Sequence, residues 1–213
     1  MHASNMNWVA NNPGGLDRNN LFFIPDEFDG EMPLIRKYTD TIPDMLVPFR
    51  HIPKKNQAVH FFVDDYRFEC IWNRPYVYAD RYRGRMLLSP DFSVYTNYPI
   101  MVQRWNTYRS RWMGAYFQSE GIRVIPSVAW GNADSFEFCF DGIECGGIVA
   151  ISTRGAYKFR EAFTNGFNAM MDIIYPSHIL CAGNISKVYI GEIDQNMITS
   201  YILERPSYCY RRV

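Results

Sequence analysis

The polar residues of this 213-residue chain that could do chemistry fall where short apolar runs end. Asp64 and Asp65 close AVHFFVDD, Ser89, Asp91 and Ser93 close RMLLSPDFS, and Trp130 and Gly131 close IRVIPSVAWG. Ser152, Thr153, Arg154 and Gly155 close GIVAISTRG, and Gly183 and Asn184 close HILCAGN. Carboxylates such as Asp64, Asp65 and Asp91 can hold a divalent metal, magnesium for example, or act as acid and base in a hydrolysis. The STRG run offers hydroxyls, a guanidinium and a glycine between a strand and a helix, a combination that presents backbone N–H groups and the helix dipole to an anion. Each of these residues also has a plainer use. Asp, Ser and Thr are ordinary helix N-caps, Arg104, Arg109 and Arg111 read as a solvated helix face, and His60 and His178, within and at the start of strands, read as structural. The chain contains no GxGxxG, Walker, GxSxG or HExxH pattern, so nucleophilic catalysis and dinucleotide binding have no motif behind them.

The elements that must position these residues follow from the same runs. Five apolar bursts, at 58–65, 85–93, 122–131, 147–155 and 178–184, are separated by amphipathic stretches. Runs of this kind are buried parallel strands joined by crossovers. The expected fold is α/β, an incomplete or distorted TIM-like barrel, with an open doubly wound sheet as the alternative. In both, ligands sit at the carboxyl ends of the strands, where the polar residues collect. The spacing predicts a long helix over 99–121, with Met101, Trp105, Tyr108, Trp112 and Tyr116 as its apolar stripe, and a core-facing helix over 156–177 carrying Phe159, Phe163, Phe167, Met170, Met171 and Ile174. A short helix is expected around 134–143, an interrupted one over 65–82, and a strand at Lys187–Ile193, whereas the tail YCYRRV carries no clear signal. Residues 1–57, rich in Asn and Pro, are read as an extended arm packed on an α/β domain of residues 58–213, because closely spaced prolines oppose regular helix and interior strand. The apolar patches Leu21–Pro25 and Asp44–Phe49 argue against a free linker, and the first dozen residues are read as disordered or as part of an interface.

Lys plus Arg and Asp plus Glu number 22 each, so no overall field draws the chain to nucleic acid or to an anionic membrane. Five cysteines without a CxxC pair read as reduced thiols, and no window is apolar enough to span a bilayer. A cytoplasmic setting is therefore expected. Aromatic residues make up 16% of the chain, which suits a core, an interface or a stacking pocket alike.

The strings DDYRFECIWNRP, LLSPDFSVYTNYP, QRWNTYRSRWMGAYFQSEGIRVIPSVAW, SFEFCFDGI and VAISTRG, in that order, resemble a family of bacterial, mobile-element and phage proteins: the domain of unknown function number four-four-one-seven. The likeness runs from about Met32 to Asn184, and IPDMLVPF also fits. It implies a phage or prophage setting inside a bacterial host, and brings no catalytic residues with it. The expected function is binding of a small phosphorylated ligand, a nucleotide immune signal held as an anti-defence activity. Ser89, Ser93, Trp130, Ser152, Thr153, Arg154, Gly155 and Asn184 would line the site, with Arg154 gripping phosphate and Trp130 stacking on a base. The first alternative is a metal-dependent nucleotide or phosphoester hydrolase using Asp64, Asp65 and Asp91. The second is a protein- or nucleic-acid-interaction module presenting Tyr108, Arg109, Arg111 and Trp112. No membrane partner is expected, and homo-oligomerisation stays open.

Overall fold

The computed structural model describes residues 28–29, 31–204 and 209–212; the Leu21–Pro25 patch and the first dozen residues lie outside them. Two short strands, β1 (Phe28–Asp29) and β2 (Met32–Pro33), form an antiparallel pair. The remaining strands are β3 (Met45–Pro48), β4 (Gln57–His60), β5 (Met86–Leu88), β6 (Arg123–Ile125), β7 (Ile148–Ser152), β8 (His178–Ala182), β9 (Ile198–Glu204) and β10 (Cys209–Arg212). These eight form one sheet in the order β6-β5-β4-β3-β10-β9-β8-β7. The two ends of that sheet meet, since Ala150 N–H donates to the Pro126 carbonyl at 2.8 Å and Val128 N–H to the Ala150 carbonyl at 2.8 Å. The result is a nearly closed barrel whose strands follow one another around the wall in chain order. All neighbours are parallel except β10, which runs antiparallel to both β9 and β3.

Strand alternation sorts the apolar residues into three layers. Leu46, Ala58, Met86, Leu88, Ala150, Leu180 and Tyr201 form one cluster inside the barrel. Their neighbours Val47, Val59, Leu87 and Val124 point outward, against Trp112, Met113 and Tyr116. On the far side, Val149, Ile151, Ile179 and Cys181 face Phe163, Phe167, Met170 and Ile174. The helices that supply these covers are α1 (Cys70–Asn73) and α2 (Pro75–Tyr82) before β5, α3 (Ile100–Ser119) before β6, and α4 (Arg160–Ile174) before β8.

Several expectations are corrected. The segment read as an arm, residues 1–57, contributes β3 to the barrel wall, because Pro48 ends that strand instead of interrupting it. Lys187–Ile193 forms no strand; Ile185–Lys187 is a single 3-10 turn, and the next strand is β9. The YCYRRV tail supplies β10, the strand that joins β9 to β3. Between β6 and β7 the expected short helix is a five-residue 3-10 segment, Ala133–Glu137. The apolar stripe of α3 splits: Trp112 and Tyr116 are buried, whereas Met101 is 73% exposed and Trp105 40%.

Candidate functional site

A cavity of about 510 Å³ opens at the carboxyl ends of β4, β5, β6 and β7. Its polar lining includes Asp64, Asp91, Ser93, Thr96, Ser152 and Arg154, and its apolar lining includes Phe62, Val94, Val128, Trp130, Phe159 and Phe163. Of the residues expected at the rim, Asp64, Asp91, Ser93, Trp130, Gly131, Ser152, Arg154 and Gly155 border this space. Asp65, Ser89, Thr153 and Asn184 do not border it. Ser89 is buried and ties strand ends together, accepting from Ser127 N–H at 2.8 Å while its own carbonyl accepts from the Ser127 hydroxyl at 2.7 Å. Thr153 is buried with its hydroxyl toward the Ala182 carbonyl. Asp65 accepts from both the backbone N–H and the hydroxyl of Ser93, at 3.0 and 2.8 Å, and so fixes the loop after β5. Asn184 precedes the Ile185–Lys187 turn without a side-chain capping bond.

The STRG segment differs from a strand running straight into a helix. A 3-10 turn, Ala156–Lys158, intervenes, and α4 begins only at Arg160. Gly155 sits in the left-handed region at φ +80, with open space where a side chain would go, so its requirement is conformational. Ser152 Oγ accepts from the Arg154 N–H at 3.2 Å. The Arg154 guanidinium donates to the Phe62 carbonyl at 3.3 Å and pairs with Asp64 at 3.2 Å, spanning β4 and β7. Its side chain remains 51% exposed, with further N–H donors on the same group.

Trp130 is held by a close approach of backbone. A Cβ on Gly166 of α4 would lie 2.1 Å from the indole, so only glycine lets the ring settle there. Phe163 and Phe140 pack against the same ring at 5.3 and 6.3 Å between centroids. This gives the cavity a rigid aromatic wall.

Asp91 is the unusual member. Among the described residues its carboxyl accepts no hydrogen bond and joins no ion pair. Burial first, then the nearby Asp65 carboxylate, push it up to about 7, against the opposing pull of Arg111 and Arg154. It borders both the large cavity and a small inner void of about 10 Å³ shared with Thr107, Ser110 and Arg111. Arg111 lies on the other side of that void and is almost wholly buried. Its guanidinium donates to the carbonyls of Asp141 at 2.8 Å, Ser127 at 3.2 Å and Cys139 at 2.6 Å, and burial lowers it to about 10.

These contacts overturn the reading of Arg109, Arg111 and Trp112 as a solvated or presented face. Trp112 is fully buried, Arg111 closes a web of carbonyls, and Arg109 pairs with Glu69 over the Phe92 ring. Arg104 is more open, pairing with Glu31 and covering Phe138. The three aspartates likewise have separate surroundings: Asp64 with Arg154 and Arg67, Asp65 with Ser93, and Asp91 with no partner. Among the described residues no three metal-ligating side chains gather in one place. His60 and His178 have partners, His60 Nδ1 accepting from Phe62 N–H and His178 Nε2 lying 2.8 Å from Thr199 Oγ1. All five cysteines are free thiols, and Cys139 and Cys181 are pushed up to about 12 by burial.

Sequence reasoning missed Tyr95, Thr96, Phe159, Ala162 and Phe163, which complete the cavity. The length of the polar, aromatic stretch SPDFSVYTNYP after β5 was the available signal for the first two.

Fold and cavity together define an α/β-barrel protein with an open cavity at the carboxyl rim of its parallel strands. The chain belongs to the family described as Domain of unknown function (DUF4417), which matches residues 27–201. It is similar to the "Gene 1 protein" of Mycobacterium phage L5, 39% identical over 225 residues, covering 100% of this chain and 95% of that one. It is also similar to the "Gene 1 protein" of Mycobacterium phage D29, 36% identical over 212 residues, covering 94% of this chain and 76% of that one. No solved structure matches it. Among the described residues no helix is long and apolar enough to cross a membrane.

Proposed function

We propose that this phage-type protein binds a small phosphorylated molecule, a nucleotide, in the rim cavity, and acts in the host cytoplasm by holding a nucleotide immune signal away from its receptor. The observation that carries the reading is the pairing, in one cavity of about 510 Å³, of a half-exposed guanidinium at Arg154 with the fixed indole of Trp130. That volume suits a mononucleotide-sized ligand. A guanidinium with spare donors favours phosphate, and a rigid indole favours a base. The phage relatives support the setting.

Native mass spectrometry with a panel of mono-, di- and cyclic nucleotides tests the proposal. A nucleotide retained unchanged, and lost in Arg154→Ala, is the expected result. A protein that retains no nucleotide from the panel ends the reading. A second reading, a nucleotide or phosphoester hydrolase, is favoured by one feature: a carboxyl at about 7, as at Asp91, can both give and take a proton near neutral pH. Conversion of an added nucleotide to a lighter product, lost in Asp91→Asn, is its signature.

A further inference from the structure

The cavity has a polarity that the phosphate-binding reading does not use. Arg154 lies at its outer edge, partly in solvent, whereas Asp91 lies deeper, where the large cavity meets the inner void. The charged groups nearest Asp91 are all engaged elsewhere. Arg111 donates to three carbonyls, Arg154 pairs with Asp64, and Asp65 accepts from Ser93. A partly buried carboxyl that borders a cavity and has no protein donor is suited to a ligand that supplies one. An occupant therefore needs N–H donors at its inner end and an anion at its outer end, with a flat body between them to meet Trp130.

Resting on the nucleotide reading above, we propose that the cavity selects a guanine nucleotide, with the Asp91 carboxylate accepting from the N1–H and the exocyclic amino group of the base. Guanine presents two adjacent N–H donors on one edge, and a carboxylate accepts both in a bidentate pair. Adenine and cytosine each place an acceptor beside their amino group, which would face a carboxylate oxygen directly. Inosine monophosphate keeps N1–H but lacks the amino group. Xanthosine monophosphate replaces that amino group with a carbonyl, which suits an amide side chain instead. The burial that raises Asp91 adds a consequence: binding a guanine edge favours the ionised form and releases a proton near neutral pH.

The test is isothermal titration of the whole protein at pH 8 with the monophosphates of guanosine, inosine, adenosine and xanthosine, repeated on Asp91→Asn and Arg154→Ala. The expected order for the native protein is guanosine first, inosine roughly tenfold weaker and adenosine about a hundredfold weaker, as for a site whose paired polar groups lose their partners. Asp91→Asn should weaken the guanosine ligand and strengthen the xanthosine one. Arg154→Ala should weaken all four by a similar factor and leave their order intact. Guanosine and adenosine ligands binding alike, with Arg154→Ala weakening both, would overturn the guanine assignment and leave the phosphate site standing. An unchanged order in Asp91→Asn, in a variant that melts as cooperatively as the native protein, would overturn it too. Failure of all four to bind would remove the nucleotide reading and this inference with it.

Discussion

Arg111 and Asp91 face the same small void, yet the protein treats the two charges in opposite ways. Arg111 is enclosed and its donors are taken by backbone carbonyls from the 139–141 segment and from Ser127, so the charge ties α3 to the strand ends. Asp91, which borders the same void, is given no donor among the described residues. A buried charge with its partners present is a structural joint, whereas the partly buried Asp91 carboxyl, without them, stays open to the cavity. The difference separates a residue that ties the cavity floor together from one that borders its open space.

The largest expected effect breaks the structural side of this contrast. Arg111→Met should lower stability by about 3–5 kcal/mol, because it leaves buried carbonyls without donors. Urea denaturation would register the loss, and a native-like midpoint would mean that water replaces the guanidinium. Asp91 should show the reverse sign with a pH signature. Its carboxyl is raised to about 7, so between about pH 4 and 7 the native state keeps a proton that the unfolded chain has released. The stabilising contribution is fully present below the unfolded value and is lost as pH rises through about 7. Asp91→Asn cannot ionise, so it should gain on the native protein by up to about 4 kcal/mol between pH 4 and pH 8. A difference between the two proteins that stays flat with pH would show that Asp91 is ionised throughout and would dissolve the contrast.

Smaller effects sharpen the picture of the aromatic wall and the outer edge. Gly166→Ala drives a methyl group into the Trp130 indole and should cost about 1–3 kcal/mol, with a change in Trp fluorescence as the ring moves. An unperturbed spectrum would mean that α4 shifts instead. Arg154→Ala should change stability by less than about 0.5 kcal/mol, because its pair with Asp64 is half in solvent. Under the nucleotide proposal its effect falls on ligand affinity, and a large loss in melting temperature would move Arg154 to the structural side.

How much of this could be read from the residues depends on where each element is buried. Five of the parallel strands, β4 to β8, announce themselves because strands covered on both faces become continuous apolar runs, as in GIVAIS and HILCA. β3 carries a similar run, MLV, but its flanking prolines Pro43 and Pro48 disguise a central strand as an arm. β9 alternates Thr199 and Tyr201 with more open positions, and β10 is largely polar, so neither has the parallel signature. At the site, strand ends predicted the neighbourhood of Arg154, Asp91 and Trp130, since topology alone brings those ends to one rim. The lack of a partner for Asp91 was not legible. It depends on Arg111 and Arg154 being engaged by carbonyls and by Asp64, contacts set by residues far away in the chain.

β10 has a further meaning for how the barrel comes into being. Apart from the Ala150 contacts with Pro126 and Val128, its pairing is the only sheet pairing among the described residues between the β3–β6 wall and the β7–β9 wall. During synthesis it leaves the ribosome after every other strand described here. Until it docks, β3 and β9 present open edges, and Tyr210 must find Leu46 from the opposite end of the sequence. Such a late, long-range closure is slow, and open edges invite pairing between chains. A substitution that weakens the docking of β10 would therefore leave two sheet edges open to pairing with another copy of the chain.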